Sequence, residues 1–87
     1  MRDTSRVYIS RFQCAGEARA RSLVNALLVA GLFPELHEPQ VPGEPWEVEA
    51  PAQLVPTEAN LADLRAAMED AARRAGASFE GSDPERV

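Results

Sequence analysis

Chemistry in this chain would fall to few residues. Its 87 residues hold one cysteine, Cys14, and one histidine, His37. Cys14 stands just before an expected helix, where a thiolate would be stabilised by the helix N-terminus. No His or acid follows at a spacing that would activate it, so a small inert thiol is the better reading. His37 has no second His and no nearby Cys, so a metal centre is disfavoured and the residue reads as an exposed strand position. Acids are plentiful, yet no nucleophile–base pair is apparent. The expectation is a protein that is not an enzyme and uses no metal or cofactor.

Charge distribution says more. The formal net charge is −5. Residues 1–21 carry Arg2, Arg6, Arg11, Arg19 and Arg21 against Asp3 and Glu17, giving +3. Residues 35–64 carry Glu35, Glu38, Glu44, Glu47, Glu49, Glu58 and Asp63 with no basic residue, giving −7. An acidic block of this kind is either a solvated surface or a docking surface for a basic partner. It also disfavours direct nucleic-acid binding. The candidate partner-binding residues are therefore Glu35, Glu38, Glu44, Glu47 and Glu49, with Tyr8 and Phe12 as aromatic anchors at the edge.

The elements that must position these residues follow from periodicity. Thr4 to Phe12 reads as a strand with Val7 and Ile9 on one face and Tyr8, Ser10 and Phe12 on the other. Ala15 to Leu32 reads as a helix. Its stripe is Ala20, Leu23, Val24, Leu27, Leu28 and Gly31, and Gly31 is placed to end it. Leu32 to Glu38 reads as a short strand interrupted by Pro34 and followed by Pro39, which suggests an edge strand. The prolines at 39, 42 and 45 with Gly43 make a turn. Glu44 to Val55 reads as a third strand with Trp46, Val48 and Ala50 inward, Glu47 and Glu49 outward, and Pro51 bending it. Thr57 is a good N-cap for a helix with the stripe Leu61, Leu64, Met68, Ala71, Ala72 and Ala75, closed by Gly76. Glu69 and Arg73 are spaced to pair on its polar side. Ala77 to Glu80 reads as a last strand with Phe79 inward, before a polar tail.

The order β-α-β-β-α-β, with right-handed crossovers, predicts a ferredoxin-like α+β sandwich. That is a four-stranded antiparallel sheet with two helices on one face and the first and third strands central. The open face is expected to carry Tyr8, Ser10, Phe12, Glu47 and Glu49, and Trp46 to be a core anchor under the second helix. One domain spans residues 1–87, with a core at about 4–81 and a polar tail at 82–87. The single cysteine excludes an intramolecular disulfide framework and fits a reducing cytosol. No signal peptide is visible, and the longest apolar stretch, Leu23 to Phe33, is too short to span a bilayer. The expected setting is cytoplasmic, without membrane, as monomer or homodimer.

Several segments together are similar to a known family. They are Trp46-Glu47-Val48, the helix start Pro56-Thr57-Glu58, the stripe Leu61, Leu64 and Met68, and the ending Ala75-Gly76-Ala77-Ser78-Phe79-Glu80-Gly81. With the helix exit Ala26-Leu27 to Gly31-Leu32-Phe33, they resemble the RraB family, regulators that inhibit ribonuclease E. The resemblance covers roughly residues 5–81. It implies a ferredoxin-like fold, an acidic protein, no catalysis, and action by binding a ribonuclease. The pattern departs at Gly81-Ser82-Asp83-Pro84, where family members look to continue with a second aromatic. A small-molecule-sensing ferredoxin-like domain is the competing class, although only Gly16 is available for the turn after the first strand. An RNA-binding module of this topology needs basic loops, and Glu47 and Glu49 beside Tyr8 and Phe12 argue against it.

Overall fold

The computed structural model describes residues 4–85. Arg6–Cys14 is β1, Glu17–Val29 is α1, Glu35–His37 is β2, Trp46–Leu54 is β3, Glu58–Ala75 is α2 and Ser78–Pro84 is β4. The four strands form one antiparallel sheet in the order β2-β3-β1-β4, so the first and third strands are central. Both helices lie on one face of this ferredoxin-like sheet and pack on each other.

Capping fixes both ends of α2. The Thr57 side chain accepts from Asn60 N at 3.1 Å. Gly76, at φ 72°, turns the chain out in the left-handed region, and Ala77 N donates to Ala72 O at 2.8 Å. Such a position suits a residue without Cβ. The core beneath the helices is Phe12, Leu23, Leu27, Val48 and Met68 with a set of small residues. Ala71, Ala72 and Ala75 on α2 are buried and let the two helices approach closely.

Several expectations are corrected. β1 runs to Cys14, and its buried face is Ser10, Phe12 and Cys14. Tyr8, Ser10 and Phe12 therefore belong to the helix side, and Val7, Ile9, Arg11 and Gln13 to the open side. Register decides this: Ser10 opposes Ala50 and Phe12 opposes Val48, and facing residues share a face. Trp46 is half-buried, opposes Cys14, and borders a groove with Gly16, Pro39 and Pro42. It lies toward the start of α1, because α1, not α2, covers β3.

The tail expected at 82–87 is strand through Pro84. Ser82 and Asp83 pair with Ser10 and Ile9, and Glu85 N donates to Val7 O at 2.7 Å. An edge strand satisfies its backbone on one side whatever its side chains, so polar residues do not end it. Residues 86 and 87 lie outside the described residues. The ladder also continues through Pro51, opposite Ile9. β2 reaches only as far as Glu49, so a missing N–H beyond it costs no bond on that side. On α2, Arg73 pairs with Asp70 and Glu69 with Arg65, in place of the expected Glu69–Arg73 pair.

Candidate functional site

The open face of the sheet carries the charge. β2 is three residues long, and Leu36 in its middle opposes the buried Val48. Alternation therefore turns Glu35 and His37 to the open side. They oppose Glu49 and Glu47 of β3. Glu49 in turn opposes Arg11 of β1.

These side chains form one file across all four strands. Arg11 Nη1 donates to Asp83 Oδ2 at 2.9 Å, and Arg11 Nε donates to Glu49 Oε2 at 3.2 Å. His37 Nε2 lies 3.2 Å from Glu49 Oε1 and 3.8 Å from Glu35 Oε2. The file runs Asp83, Arg11, Glu49, His37, Glu35. Direct opposition of Glu35 and Glu49 is unfavourable by itself. Arg11 and His37, one on each oxygen of Glu49, offset it. The Arg11 and Glu49 side chains are 47% and 33% exposed, so the pair adds at most about 1 kcal/mol. Its main effect is positional: each oxygen of Glu49 has a partner, Arg11 on one side and His37 on the other.

The loop between β2 and β3 completes the surface. Pro39, Pro42 and Pro45 restrict it, Gly43 takes φ 93°, and Glu44 N donates to Val41 O at 3.2 Å. The loop curls back toward the sheet and leaves a concavity of about 660 Å³. Glu38, Glu44, Glu47 and Glu49 line it together with His37 and Val41. Val41 is 54% exposed, a large apolar side chain among carboxylates.

The expected acids are therefore brought together. Four of the five share one concavity, and Glu35 joins them through His37. The expected aromatics are not there. Phe12 is 1% exposed, with its ring 5.4 Å from that of Phe79, so it is a core residue and not a partner anchor. Tyr8 is half-buried on the opposite side of the sheet, beneath α2. Sequence reasoning missed Arg11, His37, Val41 and Asp83 as members of this surface. The one available signal was Cys14, which extends the Ser10 and Phe12 set and assigns Arg11 to the other face.

Glu35, His37 and Glu49 place one donor atom each within 4.8 Å of one another. One imidazole and two carboxylates suit a borderline divalent cation. Arg11, however, already holds one oxygen of Glu49 and brings a like charge to that position. Cys14 is a buried member of β1, and burial raises its thiol above the ordinary value of 9.0. That is the reverse of an activated nucleophile.

No family model, curated protein or solved structure matches the chain. Among the described residues, no helix is long and apolar enough to cross a membrane.

Proposed function

We propose that this protein is a non-catalytic regulator that binds a protein partner with a basic surface through the acidic concavity. The observation that carries this reading is the convergence of Glu38, Glu44, Glu47 and Glu49 on one concave surface around the exposed Val41. Carboxylates on one surface add their fields, steer a basic partner and raise its association rate. Val41 supplies the apolar contact that charge alone does not. A proline-restricted loop presents these groups with little ordering cost. The resemblance to the RraB family names the partner class: a ribonuclease of the ribonuclease E type, inhibited by occupation of a basic surface.

The test has two arms. First, RNA cleavage by a purified ribonuclease E-type enzyme is followed with and without this protein. Inhibition should be saturable and should weaken as salt rises. Second, association kinetics are compared for the native chain and a variant with Glu38, Glu44, Glu47 and Glu49 all changed to Gln. The variant should stay folded and associate more slowly, with much of the salt sensitivity gone. Lack of inhibition removes the ribonuclease. Equal association rates for the two chains across a salt series, with any basic protein recovered from the native cytosol, remove the acidic surface.

A further inference from the structure

The stripe of α2 is unevenly covered. Met68, Ala71, Ala72 and Ala75 in its second half are buried, whereas Leu61 and Leu64 in its first half remain half-exposed. The cause lies in the sheet below. On the helix side the strands carry small residues here: Ser10 opposes Ala50 on β3 and Ser82 on β4, and Tyr8 opposes Ala52. The β1–β4 register shifts next to Gly81, between Arg11 and Phe12, and so displaces Glu80 from regular pairing. Tyr8 and Phe79 border Leu61 and Leu64 but do not cover them. A half-open cleft of about 460 Å³ is left between α2 and the β1–β4 pair.

That volume falls in the range of small-molecule sites, roughly 300–1,000 Å³. The walls are chemically mixed. Leu61 and Leu64 form an apolar side, and Tyr8 and Phe79 contribute two aromatic rings. Glu69, Glu80 and Arg65 also line it. Arg65 faces Glu69 at 3.7 Å within α2, which leaves one carboxylate in excess at the mouth.

We infer that this cleft is a binding site for a small amine with an apolar body. Aromatic faces attract an ammonium, and a carboxylate beside them completes its recognition. A carboxylate ligand would instead meet two acids and one already paired guanidinium. The apolar body would cover Leu61 and Leu64, which the fold leaves wet. The site lies on the helix side of the sheet, so it is independent of the acidic concavity and of the partner proposed for it.

The test uses three probes that share one apolar body: phenethylamine, hydrocinnamate and phenethyl alcohol. Each is titrated into the full chain while backbone amide resonances are followed. Phenethylamine should produce saturable shifts confined to the residues around Leu61, Leu64 and Phe79 to Ser82. Hydrocinnamate should bind more weakly than the neutral alcohol. Glu80→Gln should weaken phenethylamine by about tenfold, the loss of one charge-assisted contact. Leu61→Trp, at a half-exposed position, should fill the cleft and abolish the shifts. If that variant does not fold, Glu80→Gln decides alone. Equal affinity for the amine and the acid, shifts centred outside the cleft, or no saturable binding by any probe would overturn the site.

Discussion

Arg11 and Glu49 stand directly opposite each other on the two central strands, Nε to Oε2 at 3.2 Å. Through them the outer strands are joined, since Arg11 also reaches Asp83 on β4 and Glu49 also reaches His37 on β2. Arg11 is the one arginine in a file that holds three carboxylates. Arg11→Gln should therefore destabilise the fold, but by no more than about 1 kcal/mol, because the groups are half-exposed. Glu35→Gln should be neutral or stabilising by tenths of a kcal/mol, since it removes a like-charge opposition. Denaturant midpoints of the two variants at low salt should lie on opposite sides of the native value or with only Arg11→Gln lowered. A larger loss in Glu35→Gln would contradict the pairing.

Phe12→Ala should cost about 3–5 kcal/mol, the range for a fully buried ring. Phe12 is central in the core and stacks obliquely on Phe79. Trp46→Ala should cost less, because Trp46 sits at the rim beside the proline loop. Its fluorescence maximum should fall between those of a buried and an exposed indole. Comparable losses for the two variants would place Trp46 in the core after all.

Cys14 ties stability to alkaline pH. Its folded thiol is raised above 9.0 by burial, so the folded state disfavours the thiolate. In the unfolded chain the thiol ionises at the ordinary value. The contribution from Cys14 is therefore fully present below pH 9.0 and is lost as pH rises through the folded value. Stability of the native chain should fall faster above that pH than stability of Cys14→Ala, each referred to its own neutral value. A thiol reagent should modify native Cys14 only at the rate of global or local unfolding. Parallel pH profiles for the two chains, or rapid labelling of the folded protein, would show an accessible thiol.

Much of this fold is legible in the sequence, for identifiable reasons. Thr57 and Gly76 bracket α2 because capping is local and each end needs one residue type. The clean alternation of Trp46 to Ala50 assigns β3 its faces. β1 has no such asymmetry: Val7 and Ile9 compete with Tyr8 and Phe12, and a one-residue change of phase flips every side chain. Only pairing with β3 resolves it. The acids were legible as a block, but their convergence depends on how Pro39 to Pro45 curls over the sheet, and no periodicity encodes a loop path. The cleft beside Leu61 and Leu64 is completed by Tyr8 and by Phe79 to Ser82, which are distant in sequence and are brought there by the sheet.

The corrected faces also bear on nucleic acid. A single-stranded RNA platform needs aromatic rings on the open sheet face and cations around it. Tyr8 and Phe12 lie on the helix side, and the open face presents Glu35, Glu47, Glu49 and Asp83 around a single Arg11. The ring placed on that face is the imidazole of His37, already hydrogen-bonded to Glu49, and phosphate would meet carboxylates. The arginines of α1 are partly engaged as well: Arg21 is paired with Glu17 at 2.7 Å, and Arg19 lies over Gly76. Titration with a single-stranded RNA at physiological salt should therefore give no saturable signal at micromolar protein. Changing Glu47 and Glu49 to Gln should not create binding either, because Tyr8 and Phe12 would still lie on the helix side. If the native chain bound RNA with a steep salt slope, the basic surface would have to lie on the helix side, and Arg19→Gln with Arg21→Gln would abolish it.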